Sequence, residues 1–226
     1  MTKLILEPYL HQMDRWPASG RHILAQHDAG SVVVYQAYRP AIGRHAATHG
    51  EFGGEWSFAR MSWIKPNFLW MMYRSGWAEK PDQEVVLAVR LRRSAFDEIL
   101  AGCVPSSYDR TRWPNEAAWR QAVTDSDVRL QWDPDHDPAG RPLERRAMQL
   151  GLRGETLRRY AREWIIDIED ITPLVVEQRA HMHERGYLQL STPHEDVYPV
   201  ADPRVAAALH LDAPPPPAVA SSAPAA

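Results

Sequence analysis

The chain has 226 residues, 44% of them apolar and 24% charged, with a formal net charge of −3. That length buries a sizeable core without staples, so one domain with terminal extensions is expected, and the charge gives no electrostatic case for non-specific nucleic-acid binding beyond a local basic patch. A single cysteine, Cys103, excludes an internal disulfide; with no signal-peptide pattern this points to a reducing cytoplasm, and since no apolar run reaches the roughly 18 residues of a spanning helix, no membrane is expected.

Residues 1–30 read as a leader, punctuated by Pro8, Pro17, Gly20 and Gly30 but apolar enough to pack on the body. "SVVVYQAY", 31–38, is β-branched and aromatic between Gly30 and Pro40, which predicts a strand. "PAIGRHAATHG" follows as a short helix with Pro40 early and Gly50 as its stop. "GGEWSFARMSW" predicts a glycine turn and a strand, after which Pro66 is expected to start a helix through "NFLWMMYRS", closed by Gly76. Phe68 to Tyr73 are apolar without interruption, so that helix should be buried on most sides. Trp63, Trp70 and Trp77, seven residues apart, are three of the nine tryptophans of the chain.

"EVVLAVRL", 84–91, predicts a second strand, and "SAFDEILAGC" a short amphipathic helix capped by Ser94. A loop-rich stretch with a helical turn around "NEAAWRQAV" leads to a strand at "VRLQW", 128–132, an excursion at "DPDHDPAGRP", and a returning strand at "LERRAMQLGL", 143–152. "GETLRRYAREWIIDI" reads as helix, and another helix is expected from Thr172-Pro173. Residues 31–190 thus read as a single α+β domain with a central mixed or antiparallel sheet and flanking helices; 191–212 read as a C-terminal extension and the Pro/Ala run 213–226 as a disordered tail.

Three stretches carry candidate chemistry. A helix N-terminus behind Lys65 offers free N–H groups and partial positive charge to a phosphate or carboxylate, with Lys65 and Asn67 adding donors and Ser62 and Trp63 just upstream. The alternative is a snorkelling lysine beside core tryptophans, and Arg74, at the other end of the helix, either reaches the same ligand or complements the helix dipole. In "VYQAYRP", strand alternation puts Gln36 and Tyr38 with Val34, toward an interior, where the amide is either a satisfied structural group or a ligand contact, while Arg39 lies at the strand end. In "RRAMQLGL", Gln149 shares a face with Ala147 and Gly151, and a polar side chain beside a glycine leaves room for a ligand. "QWDPDHDP" has the carboxylates of a metal loop without the glycine and distal glutamate of an EF-hand, and its Asp-Pro pairs make turns, so no metal is expected.

"VVVYQAYRPAIG", "RMSWIKPNFLWMMYRSGWAEKPDQEVVLAV", "VRLQWDPDHDP", "RAMQLGL" and "REWIIDIEDITPLV" together resemble the family called domain of unknown function 4291, over roughly residues 16–178. A further resemblance, of layout, is to ADP-ribosyltransferase-like proteins. It implies a split sheet in which "VYQAYR", "SWIKPNFLWMMY" and "MQLGL" line a cleft for NAD, with Gln149 standing where a catalytic Glu is common.

The residues therefore support two readings. One is an enzyme transferring a group from a nucleotide-type ligand such as NAD: Arg39 and Lys65 hold phosphates, Trp63 or Tyr38 stacks on a ring, Gln149 orients the ribose, and Gln149 and Lys65 are the catalytic candidates. The other is a non-catalytic module using the same basic and aromatic edge for a nucleotide, a nucleic-acid end or a protein partner. A covalent nucleotidyl-lysine at Lys65 ranks last, because no KxxG glycine follows it.

Overall fold

In the computed structural model, residues 4–183 and 186–213 are described. The N-terminal segment forms β1 (Leu6–Pro8), α1 (Tyr9–Met13), β2 (Gly20–Arg21) and β3 (Leu24–Ala25). Next come β4 (Ser31–Tyr38), α2 (Pro40–His49), β5 (Ser62–Ile64), α3 (Phe68–Ser75), β6 (Val85–Arg92), α4 (Arg93–Ala101), β7 (Cys103–Pro105) and α5 (Glu116–Asp125). The hairpin β8 (Val128–His136) and β9 (Pro142–Leu152) leads into α6 (Gly154–Arg159), a π-helical turn at Tyr160–Trp164, β10 (Ile165–Asp170) and α7 (Thr172–Arg179). The chain then forms β11 (Ser191–Pro193), β12 (Asp196–Val197) and α8 (Pro203–Ala208). Helices and strands are interspersed, an α+β arrangement.

Two larger sheets organise the molecule. An antiparallel three-stranded sheet has the order β10-β6-β4, and a mixed five-stranded sheet runs β2-β9-β8-β7, with β5 also paired to β9. Apolar residues run through β4 and β6 without alternation because both faces of the first sheet are covered. Val32, Val34, Leu87, Val89 and Leu91 pack into one cluster with Leu130, Met148, Leu150 and Leu152 of the second sheet. Val33, Tyr35, Val86 and Ala88 pack into the other with Phe68, Leu69, Met71 and Met72 of α3 and Val175 of α7. Helix α2 reaches its strand closely because a Cβ on Gly43 would lie 2.5 Å from a Val85 methyl.

Several boundaries differ from the sequence expectations. Helix α3 begins at Phe68, two residues past Pro66, with Asn67 as N-cap accepting from the Trp70 amide at 2.7 Å. The residue before a proline is pushed toward extended backbone, and Lys65 accordingly pairs with Tyr35 instead of joining the helix. Ser94 does not cap α4: β6 passes straight into the helix, Arg92 takes the N-cap position without a side-chain bond, and the Arg93 amide donates to the Gly30 carbonyl. "IIDI", 165–168, leaves the helix it was expected to continue, because β10 supplies the second neighbour of β6. Beyond residue 190, where the sequence pattern fades, β11 pairs with β1 and β12 with β3. Of the Pro/Ala run, residues 214–226 lie outside the described residues.

Among the described residues no helix is long and apolar enough to cross a membrane.

Candidate functional site

A cleft opens where the two larger sheets part. Tyr35 of β4 and Lys65, just past β5, exchange both backbone hydrogen bonds, at 2.7 and 3.2 Å. Beyond that pair no further ladder joins β4 to β5 among the described residues. Side chains span the gap instead. The Gln36 Nε2 donates to Ser62 Oγ at 2.8 Å, to Tyr38 Oη at 2.8 Å and to the Trp63 carbonyl at 3.3 Å. Its Oε1 accepts from Tyr160 Oη at 2.6 Å. Tyr38 Oη and Ser62 Oγ lie 2.7 Å apart, and Trp56 Nε1 donates to the same phenol oxygen at 3.0 Å. Gln36 is thus a fully engaged amide that fixes the shape of the cleft wall.

The cleft encloses about 710 Å³. Its walls come from the end of β4 (Gln36 to Arg39), the loop before β5 (Glu55 to Ser57, Arg60, Met61), β5 itself (Ser62, Trp63) and Lys65. Met71 and Arg74 of α3, Asp82 and Gln83, and Gln131 and Gln149 of the β8–β9 hairpin complete it. Arg39 pairs with Glu55 at 2.6 Å at the exposed rim. Gln149 Nε2 donates to Gln131 Oε1 at 2.9 Å and to Asp133 Oδ2 at 2.8 Å, so the hairpin presents a tethered carboxylate beside the cleft.

Lys65 dominates the electrostatics. Its residue surface is only 6% exposed, and its ammonium has no hydrogen-bond partner among the described residues. Burial first, and the Arg74 guanidinium second, push its pKa down to about 7, against a smaller pull upward from Asp133. A cation held this way, facing a cleft and near a second cation, is poised to gain from a bound anion.

Of the residues expected from sequence, Gln36, Tyr38, Arg39, Ser62, Trp63, Lys65, Arg74 and Gln149 all line this one cleft. Asn67 does not line it. Its Oδ1 caps α3, and its Nδ2 donates to Glu195 Oε2 at 3.1 Å. The helix N-terminus expected to face a ligand already holds an anion-forming group of the chain itself: the Phe68 amide donates to Glu195 Oε1 at 2.6 Å. Lys65 is buried rather than snorkelling, and the room expected beside Gly151 is filled, since a Cβ there would lie 2.5 Å from Met61 Sδ and 3.0 Å from the Trp63 ring.

The carboxylates and the further cation of the cleft, Glu55, Asp82 and Arg60, were not singled out from sequence as ligand contacts, nor was Asp133, which Gln149 holds. For Gln131 and Asp133 a signal existed. Residues 131 and 133 share a strand face, and the hairpin register sets Gln131 opposite Gln149. The other Asp-rich positions are spent on structure, Asp135 in a buried pair with Arg145 at 2.6 Å and Asp137 in a pair with the exposed Arg141 at 2.7 Å.

The family model described as "Domain of unknown function (DUF4291)" matches residues 22–198. With most of its length so matched, the chain belongs to that family. No curated protein matches it.

Proposed function

We propose that this DUF4291 protein binds an anionic nucleotide-type ligand, NAD in the first instance, in the cleft between its two larger sheets, and transfers a group from it. One observation carries the reading: a buried lysine, without a side-chain partner among the described residues, on the wall of a 710 Å³ cleft that also holds Arg39, Arg60 and Arg74. The volume lies in the ordinary range for small-molecule sites. A phosphate oxygen at Lys65 would replace the hydration that burial removed, with Arg74 and Arg39 as further partners. Trp63 offers a ring face, and Gln149 offers an amide to a ribose hydroxyl.

The same three elements named by the ADP-ribosyltransferase resemblance, β4, β5 and β9, line the cleft. Glycosyl transfer from NAD develops positive charge at the ribose carbon as nicotinamide leaves with the bonding electron pair. Gln149 carries no charge to meet it, and the carboxyl it holds, that of Asp133, is not among the residues that line this cleft. The neutral amide at 149 is also the observation that favours the second reading, a non-catalytic module for a nucleotide, nucleic-acid end or protein partner.

Isothermal titration with NAD, ATP and short RNA tests the proposal, each in two buffers of different ionisation enthalpy at pH 7.5. The expected result is NAD binding with net proton uptake, since a phosphate at Lys65 raises its pKa, and loss of that uptake in Lys65→Met. Absence of NAD binding, or uptake unchanged in Lys65→Met, overturns the assignment. Binding without release of nicotinamide in the presence of candidate acceptors selects the non-catalytic module.

A further inference from the structure

A second cavity of about 460 Å³ adjoins the first, and Gln131 lines both. Asp133 lines the second cavity while its Oδ2 is held by Gln149, which lines the first. The hydrogen-bonded group Gln131–Gln149–Asp133 is therefore a shared wall between the two.

The second cavity is also lined by Arg21 and Arg146. Neither forms an ion pair among the described residues, and the only side-chain bond of Arg146 is one from Nη2 to the Trp132 carbonyl at 3.0 Å. Two guanidinium groups with donors to spare match the oxygens of a phosphate. Trp132, its Nε1 bound to the Leu209 carbonyl at 3.1 Å, is fixed in the same wall. Asp133 Oδ1 has no hydrogen bond among the described residues, so it can accept one from a ligand hydroxyl.

We propose that this second cavity binds the acceptor, a nucleoside 5′-phosphate, free or at the end of a strand, with Arg21 and Arg146 on its phosphate and Asp133 on a ribose hydroxyl. The name acceptor rests on the group-transfer reading above; the binding site does not. A cavity of this size suits one nucleotide rather than a long duplex track, in keeping with the net charge of −3.

The test titrates AMP, a short 5′-phosphorylated RNA, and the same RNA without the phosphate into wild type, Arg146→Ala and Arg74→Ala, followed by calorimetry. NAD is titrated in parallel. The expected result is that Arg146→Ala weakens the phosphorylated probe at least tenfold and changes NAD affinity less than twofold, with Arg74→Ala showing the reverse. Tighter binding of the RNA than of AMP identifies a strand end as the source of the phosphate, and tighter binding of AMP a free nucleotide. Wild type that ignores the 5′-phosphate, or Arg146→Ala that binds like wild type, overturns the second site. Failure of NAD alone overturns the function proposed for the first cavity and leaves the second site standing.

Discussion

Tyr35 and Lys65 form a single backbone pair, 2.7 and 3.2 Å on its two hydrogen bonds, and that pair joins the sheets on either side of the cleft. The lysine is fixed at the point where the sheets diverge, and the residue is 6% exposed.

That placement makes Lys65 costly to the fold. The unfolded chain keeps its proton to about 10.5, whereas the folded chain releases it near 7. Between those values the unfolded state binds more protons, so the contribution of Lys65 to stability rises with pH across pH 7–10.5 and is least favourable below 7. Lys65→Met should raise stability at pH 6 by about 1–3 kcal/mol, with the gain shrinking toward pH 10. Urea titrations at pH 6, 8 and 10 check this, and a variant less stable than wild type at pH 6 would show that the ammonium has a structural partner.

Glu195 titrates in the opposite sense. Burial pushes its carboxyl well above the usual range, against the opposing bond from the Phe68 amide. The folded state then holds a proton that the unfolded state has already released, so this contribution declines as pH rises from the ordinary carboxylate range. Glu195→Ala should orphan the Phe68 amide and the Asn67 side chain and cost about 2–4 kcal/mol at pH 5, read by denaturant unfolding.

Gly151→Ala should act on the cleft rather than the core. The added methyl meets Met61, which can swing away, and the Trp63 ring, which is less free to move. A stability cost of about 1–2 kcal/mol is expected, with at least threefold weaker NAD binding as the indole shifts. Unchanged affinity by calorimetry would detach Trp63 from the ligand.

Trp70, 4% exposed and stacked on Tyr73 and His136, should cost about 3–5 kcal/mol when truncated to alanine, measured by thermal and denaturant unfolding. Near-native stability would contradict its place in the packing.

What was legible in the sequence was what depends on near neighbours. The apolar runs of β4 and β6 announce strands buried on both faces, and the caps at Gly50 and Gly76 are local, with φ of 69° and 57°. The candidate site was legible to the same extent: Gln36, Lys65 and Gln149 stand out as polar groups inside apolar surroundings, and they line one cleft. The partners decided by distant chain were hidden. Nothing near Asn67 reveals that Glu195 occupies the helix end, and nothing near Gly151 reveals that Trp63 rather than a ligand fills its space. The strand at "IIDI", 165–168, was masked by the helical run before it, because only the open edge of β6 selects the extended form there.

The bond between Phe68 and Glu195 spans 127 positions of chain. On a ribosome adding about 5–20 residues per second, roughly 6–25 seconds separate the making of the helix from the making of the carboxyl that its first amide donates to. Throughout that interval the Phe68 amide and the Asn67 side chain lack the carboxyl they donate to. A nascent chain cut short before residue 195 should therefore carry α3 with two buried donors unanswered at its start, so this helix end is completed only near the end of synthesis.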